Sequence, residues 1–368
     1  MKLRYKILGV IVILVGLGVL SLAFLMSHTS PCGPAPPSPA GATLMKGIVH
    51  RCYGSPEVLH YEDLARPNAA DDEVLVKVHA ASVNPLDWHY LEGTPYIVRL
   101  DAGFGKPENP RLGVDFAGIV EAVGSKVTRF KPGDEVFGGK FGAFAEYVAI
   151  REQRAITLKP ANMTFEQAAA VPIAGVTALQ ALRDKGQLQA GQKVLINGAS
   201  GGVGTFAVQI AKSLGAEVTG VCSTHNVDLV RSIGADHVID YTRDDVTRGT
   251  EHYDLIIDNV GTHSLFDYKR ILNPKGIYVM IGSTTPGNWF GFLVTPVEAW
   301  LLSPFVSQKF GMILAELDHK DLATLAELMQ SGKLTPVIDR SYKLSDTAAA
   351  MQYVEKGHAR GKVILEMD

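Results

Sequence analysis

The residues Val194-Leu-Ile-Asn-Gly-Ala-Ser-Gly-Gly-Val-Gly204 run directly into Thr205-Phe-Ala-Val-Gln-Ile-Ala-Lys212. An apolar strand breaks into a loop of small residues, and the loop opens a helix. That layout suits the holding of a diphosphate. Glycines let the backbone approach the phosphates, and the unpaired N–H groups at the helix start favour negative charge. Ser200, Gly201, Gly202, Val203 and Gly204 are therefore candidate nucleotide-binding residues.

The end of the next strand bears on which nucleotide this is. Sites that bind NAD place Asp or Glu there, about 20 residues past the glycines, to hold the ribose 2′-hydroxyl. This chain reads Cys222-Ser223-Thr224-His225 instead. No carboxylate in that stretch would repel a 2′-phosphate, and Ser223 offers a hydroxyl donor, so NADPH is the expected cofactor. Ser223 and Thr224 also suit ordinary helix capping, and the two roles can coexist. His225 is the nearest basic residue, with Arg243 a second.

The scaffold for these residues changes character along the chain. From Met45, short strands alternate with turns: Glu73–His79 alternates polar and apolar residues, and Gly113–Gly124, Lys131–Val136 and Ala145–Ile150 follow. Such spacing predicts a compact β domain. Near Thr164 the pattern switches, with Thr164-Phe-Glu-Gln167 reading as a capping box before an Ala-rich helix. Strands at Val194–Asn197, Glu217–Val221, Val238–Asp240, Leu255–Asp258 and Ile277–Ile281 then alternate with helices at Val203–Leu214 and Val227–Ile233. Alternation of this kind implies a parallel, doubly wound sheet with ligands at the carboxyl ends of its strands. Trp289–Leu317 is strongly apolar but broken by Pro296 and Pro304. It reads as a core or subunit-interface excursion, with a pocket wall or membrane-facing flap as the alternative.

Composition sets the outer bounds. The 368 residues are 46% hydrophobic and 20% charged, with a formal net charge of −3. No basic cluster marks the body, which argues against nucleic acid as a partner. The three cysteines, Cys32, Cys52 and Cys222, lack CxxC spacing, so neither a four-cysteine zinc lobe nor a disulfide framework is expected. At the N-terminus Lys2, Arg4 and Lys6 precede an uncharged run from Ile7 to Met26. Twenty helical residues span roughly 30 Å. An uncleaved single-pass membrane anchor followed by a Pro-rich linker (Ser30–Gly41) is the expectation, with a cleaved signal peptide as the alternative. The flanking cations would send the folded part across the membrane, away from a cofactor that is chiefly intracellular, and the sidedness stays open.

Several further motifs occur in a recognisable order: Ala81-Ser-Val-Asn84-Pro85-Leu-Asp87, Gly113-Val-Asp115-Phe-Ala-Gly118, Lys131-Pro-Gly133-Asp134, Pro172-Ile-Ala-Gly175-Val-Thr177-Ala-Leu179, the Gly198–Gly204 loop, and Gly357-His-Ala-Arg-Gly-Lys362. With them the chain from about Met45 onward resembles the zinc-independent, quinone-oxidoreductase branch of the medium-chain dehydrogenase/reductase superfamily. Val221-Cys-Ser-Thr224, Gly234-Ala-Asp236 and Val238-Ile-Asp-Tyr241 bring it nearest to reticulon-4-interacting-protein-like oxidoreductases. The resemblance implies an α/β fold with a GroES-like β-barrel domain (45–165, completed by 330–368) and a Rossmann NADP-binding domain (166–329). Residues 1–44 remain as anchor and linker, and a homodimer is implied by the resemblance alone.

Zinc members of the superfamily carry Cys where this chain has Asn84, and a His-Glu pair where it has Val114-Asp115. Those substitutes make a poor zinc site, so no metal is expected. Without that Lewis acid, hydride transfer to an electron-poor enone or quinone is the expected reaction, because a hydrogen bond to the acceptor oxygen then suffices. By the same resemblance Asn84 faces nicotinamide and substrate, unless it serves only as an Asx-turn before Pro85. Thr177, Tyr241, Asn259, Gly282, His358 and Arg360 take cofactor-binding positions. Thr177 has the alternative of bonding its own helix, and Arg360 that of a surface ion pair. His89 stands where relatives often carry a tyrosine, and as an imidazole it is a candidate proton donor. Tyr96 lies one residue from another family tyrosine. The expected activity is NADPH-dependent reduction of a quinone or α,β-unsaturated carbonyl. The alternatives are a zinc-free NADP-linked alcohol dehydrogenase and a catalytically silent nucleotide-binding partner protein.

Overall fold

The computed structural model describes residues 2–37, 39–282, 287–289 and 291–367. It opens with helix α1 (Lys2–Ser27). The first half then lays down β1 (Leu44–His50), β2 (Leu59–Ala65), β3 (Glu73–Val83), helices α2 (Pro85–Glu92) and α3 (Arg99–Ala102), and β4 (Asp115–Val123). β5 (Glu135–Gly139), β6 (Tyr147–Arg151), β7 (Ile156–Leu158), α4 (Phe165–Ala169) and α5 (Pro172–Gln180) follow. The second half runs β8 (Lys193–Asn197), α6 (Gly202–Ser213), β9 (Glu217–Cys222), β10 (His237–Asp240), β11 (Tyr253–Asp258), β12 (Leu272–Met280) and β13 (Lys309–Met312). It returns through β14 (Ile338–Lys343) and β15 (Lys362–Glu366).

Strands β8 to β13 form a six-stranded sheet in the order β10-β9-β8-β11-β12-β13, with every neighbouring pair parallel. The chain reverses its direction of travel between β8 and β11, and the crevice at the carboxyl ends there is where such sheets take ligands. The other large sheet has the order β14-β15-β3-β4-β5-β7, and β6 also pairs with β3. β15 lies antiparallel to β3 with Val363 opposite Val83. The last strand of the chain therefore ends its approach beside Asn84. Between the sheets, α5 and α6 are buried along most of their length, so the two halves share one continuous core. The capping box at Thr164 is formed reciprocally: Gln167 N–H donates to Thr164 Oγ1, and Thr164 N–H to Gln167 Oε1. The helix it starts is short, and α5 begins only after Val171.

Two expectations for the N-terminal part need correction. Among the described residues no helix is long and apolar enough to cross a membrane, which overturns the single-pass anchor and the membrane partner. Nor is the segment after α1 a free linker. The Arg99 guanidinium donates to His28 O (2.7 Å) and Thr29 Oγ1 (3.1 Å), and Ser30 N–H donates to Gly105 O. These ties bring Cys32 to the end of β1, where it forms a disulfide with Cys52, Cα to Cα 4.6 Å. Cysteine spacing could not reveal this bond, because what closes it is a contact to residues 99–105. Cys222 is free and buried, and burial pushes its thiol up to about 11.

The Trp289–Leu317 stretch also departs from a core reading. Its helix Val294–Leu302 buries Leu302 but leaves Trp300 75% exposed, and beyond the helix Phe305 and Leu314 are 84% and 83% exposed. An open groove of about 330 Å³, floored by Tyr278, Met280 and Phe310, separates this helix from the edge strand β13.

Candidate active site

The glycine loop has the predicted build. Gly198 adopts a left-handed φ of +74°, which only glycine takes without strain. Gly204 is required for a different reason: a Cβ there would stand 2.1 Å from Gly198 O. Gly201 and Gly202, in contrast, face space the protein does not fill. A Cβ on Gly201 would meet only Gly198 O at 3.5 Å, and one on Gly202 only Lys362 Cδ at 3.4 Å and Gly361 O at 3.7 Å. Gly201 caps α6 without a side-chain partner for the first N–H groups. An unfilled cradle at the start of a twelve-residue helix fits a diphosphate.

Further cofactor candidates line the same strand ends. Asn259 follows β11; its N–H and its Nδ2 both donate to Asn197 O, and its buried Oδ1 has no partner. Gly282 is pressed against it, since a Cβ at 282 would lie 2.3 Å from Asn259 O. The shape of this edge is set by Asp258, which is wholly buried. It accepts from Asn197 Nδ2 (2.9 Å), Tyr278 Oη (2.9 Å), Val260 N (3.1 Å) and Gly261 N (2.9 Å). The C-terminal return is also present. Gly361 N–H donates to Ser200 O at 2.9 Å, while the side chains of His358 and Arg360 are exposed. Thr177 is buried within α5 and gives its hydroxyl proton to Ile173 O at 2.7 Å, which is the local helix role.

At the end of β9 the structure adds two residues that the sequence did not suggest. Asn226 Nδ2 donates to Ser200 Oγ (3.0 Å) and lies 3.3 Å from Ser223 Oγ, so one carboxamide ties the phosphate loop to the strand end. Asp240 brings a carboxylate to the place that Cys222–His225 leave non-acidic, because parallel register sets it beside Cys222. It accepts from Thr224 Oγ1 (2.5 Å) and Thr242 Oγ1 (2.7 Å), and Arg243 stands 3.5 Å away. Those hydroxyls, above all Thr224, hold its carboxyl below the usual carboxylate range. Tyr241 is more than half exposed, with only its N–H engaged, to Cys222 O.

The most connected cluster surrounds Asn84. Its backbone N–H donates to Asp87 Oδ2 (2.8 Å), and Asp87 N–H returns to Asn84 O (3.0 Å). The turn before Pro85 is thus closed without the Asn84 side chain. That carboxamide instead donates through Nδ2 to Asp115 Oδ2 (2.9 Å) and Ser82 O (3.3 Å), and accepts through Oδ1 from Lys362 Nζ. Asn84, Asp87, Asp115 and Lys362 are each no more than 3% exposed. Asp115 is further held by Ser82 Oγ (3.0 Å) and by Ile173 N–H (3.0 Å) at the start of α5. Burial pushes the Asp115 carboxyl up and the Lys362 ammonium down, while their mutual attraction across 3.6 Å opposes both shifts.

Asp87 titrates in a usable range. Burial raises its carboxyl to about 7, and the Asn84 N–H only partly offsets this. A folded value above the ordinary 3.8 means that stability is greatest below about pH 4 and falls as pH rises through 7. Asp87→Asn removes that penalty. Its Tm should exceed the wild-type value by roughly 5 °C more at pH 8 than at pH 5, as read by thermal unfolding; an equal offset at both pH values would refute the assignment.

His89 lies in α2, and Tyr96 stands on the turn that follows it. His89 Nδ1 is 2.7 Å from Thr94 O, and burial lowers the imidazole below its ordinary value. At neutral pH the ring is therefore neutral, its proton fits on Nδ1 facing that carbonyl, and it is not the ready acid expected from its residue type. Tyr96 reaches the other half of the molecule: its N–H donates to Asn288 O (2.8 Å), and its ring packs edge-on against Trp289 at 4.8 Å.

Two family models match the chain: an alcohol dehydrogenase GroES-like domain over residues 70–160 and a zinc-binding dehydrogenase over residues 233–365. The trans-enoyl reductase pgmF of Aspergillus terreus is 38% identical over 321 residues, covering 82% of this chain and 88% of the relative. The chain belongs to the medium-chain dehydrogenase/reductase superfamily. The mitochondrial NAD(P)H oxidoreductase RTN4IP1 of Mus musculus is 35% identical over 361 residues, covering 89% of this chain and 90% of the relative. Among solved structures, the quinone oxidoreductase of Escherichia coli complexed with NADPH matches with a TM-score of 0.75 and 26% identity. It covers 87% of this chain and 99% of that one. This superfamily member is accordingly an NAD(P)H-type oxidoreductase with GroES-like and Rossmann domains. The zinc named by one family model does not suit the residues here. An ammonium and a carboxamide stand against Asp115, and a divalent cation would have to share that space with Lys362. Among the described residues no group of three or more His, Cys, Asp or Glu can hold a metal ion.

Proposed function

We propose that the chain reduces an α,β-unsaturated carbonyl or a quinone with NADPH, without a metal. The observation that carries this reading is the Asn84–Asp115–Lys362 cluster. A carboxylate fully engaged by hydrogen bonds and an ammonium offers no vacancy for a Lewis acid, and enones and quinones are acceptors that need none. The similarity to the Aspergillus trans-enoyl reductase supports the enone side. The quinone oxidoreductase fold match supports the quinone side and the cofactor.

When bound, the cofactor supplies a hydride from C4 of its dihydronicotinamide. The unfilled cradle at Gly201–Gly202 and the N-terminus of α6 take its diphosphate. Asn259 Oδ1, buried without a partner, is set to accept a hydrogen bond from a hydroxyl or amide N–H group of the cofactor. Ser223 and Asn226 lie at the strand end that would receive the 2′-phosphate, where Thr224, Thr242 and Arg243 damp the charge of Asp240. Asn84, held at the domain junction, faces the reacting ring. Tyr96 is the phenolic donor on the opposing loop.

The test is NADPH oxidation by the full chain across a panel of enones, quinones and aldehydes, with NADP-linked alcohol oxidation run alongside. Reduction of an enone or quinone with at least roughly tenfold preference for NADPH over NADH is expected, about 1.4 kcal/mol of discrimination. Alcohol oxidation alone would indicate the alcohol dehydrogenase reading. Tight NADPH binding with no turnover on the whole panel would indicate a silent binding protein.

A further inference from the structure

Lys362 is a buried charge to which the chemistry above gives no role beyond occupying the space of a cation. It starts β15, and sheet pairing brings it to the end of β3 (Val363 opposite Val83). Its Nζ donates to Asn84 Oδ1 and to Val83 O (3.3 Å) and lies 3.6 Å from Asp115 Oδ2. Its stem runs under the phosphate loop, since a Cβ on Gly202 would sit 3.4 Å from Lys362 Cδ. The preceding residue, Gly361, is tied to that loop through Ser200 O and takes a φ of +97°. Lys362 therefore lies beside the loop that would hold the cofactor phosphates, to which its neighbour Gly361 is bonded, and donates to the carboxamide that would face the nicotinamide.

A carboxamide is nearly symmetric in shape, and its oxygen and nitrogen exchange places by a half-turn. An ammonium can only donate and a carboxylate can only accept. With Lys362 on one side of Asn84 and Asp115 on the other, only one of the two orientations satisfies both partners. We propose that Lys362 is a positioning residue that locks the orientation of the Asn84 carboxamide and joins it rigidly to the phosphate loop. The device stands where metal-dependent members of the superfamily would hold their cation. Here the fixed positive charge belongs to the chain, and it acts through Asn84 rather than on the substrate. The inference rests on the reading that Asn84 faces the reacting groups.

The experiment is a double-mutant cycle on the full chain with Asn84→Ala and Lys362→Met. It is read by kcat, by KM for the acceptor, and by the dissociation constant of NADPH from nicotinamide fluorescence without acceptor. Lys362→Met is expected to lower kcat roughly 10- to 100-fold, the cost of a misplaced group at a reacting centre. The NADPH dissociation constant should change less than about threefold, too little to reflect loss of a direct phosphate contact. In the Asn84→Ala background, Lys362→Met should lower kcat little further, because residues acting as a unit are not additive. Additive losses, or an unchanged kcat in Lys362→Met, would overturn the positioning role while leaving Asn84 in place. A large loss of NADPH affinity would overturn it in favour of a direct phosphate contact. An unchanged kcat in Asn84→Ala would overturn the reading of Asn84 itself, and the inference with it. Lys362→Met leaves the Asp115 charge uncompensated and so endangers the fold. The paired change Lys362→Met with Asp115→Asn removes both charges together. It should fold and still lose kcat, because only the 3.3 Å bond to Ser82 O is then left to select the carboxamide orientation; full activity in that variant would likewise overturn the proposal.

Discussion

Gly204→Val is expected to weaken nucleotide binding by at least roughly 100-fold, about 2.7 kcal/mol, and to lower thermal stability as well. The reason is backbone geometry. A Cβ at 204 would lie 2.1 Å from Gly198 O and 2.8 Å from the backbone of Ala199, so the loop must open to admit any side chain. Those are the atoms that shape the phosphate cradle. Gly201 provides the contrast. Its φ of −81° is ordinary, and a Cβ there meets only Gly198 O at 3.5 Å. Gly201→Ala should therefore unfold within about 1 °C of wild type while losing roughly tenfold in NADPH affinity, because the new methyl group occupies the ligand's space and not the protein's. Fluorescence titration and thermal unfolding of the two variants separate these effects. Wild-type affinity in Gly201→Ala would show that the phosphates lie elsewhere.

Asp258→Ala is expected to cost about 3 kcal/mol or more of stability, a fall in Tm of roughly 4 °C or more. The carboxylate is wholly buried and receives the Asn197 carboxamide, the Tyr278 hydroxyl and the N–H groups of Val260 and Gly261. Alanine leaves these donors facing one another without an acceptor. Tyr268 shares the cluster through Asn197, and burial pushes the hydroxyls of both tyrosines far up, so neither can take over the negative charge. The turn that carries Asn259 should loosen with it, and NADPH affinity should fall even at temperatures where the variant stays folded. Calorimetry and nucleotide titration check both outcomes. Wild-type Tm in Asp258→Ala would mean that water satisfies the donors and that the cluster contributes little.

How far the sequence led depends on how local each interaction is. The strand–loop–helix at Val194–Lys212 was legible because the signals lie within one stretch of chain: an apolar strand, four glycines and a helical face. The alternation that followed gave the parallel sheet for the same reason. The strand end at Cys222–His225 is non-acidic in the sequence, yet Asp240 reaches that end from the neighbouring strand through parallel register. No inspection of Cys222–His225 reveals it. The N-terminal part failed for a related reason. Apolar composition alone suggested an anchor and a loose linker, whereas Arg99, Gly105 and Cys52 bind that segment to the body of the protein.

The sequence by itself determined the glycine loop, the order of strands and helices, and the presence of Asn84 and Val114-Asp115 where the resemblance places zinc ligands, because these are properties of residues near one another or of single positions. Only the tertiary structure decided what surrounds Asn84. Asn84, Asp115 and Lys362 come from three distant stretches of chain, and they meet because β4 and β15 flank the same end of β3. Once buried together, each charge and each amide group must find a partner among the others, because an unpaired polar group away from bulk solvent is costly. That requirement made Asn84 one arm of a locked cluster and made Lys362, an unremarked residue at the end of a motif, the group that holds it.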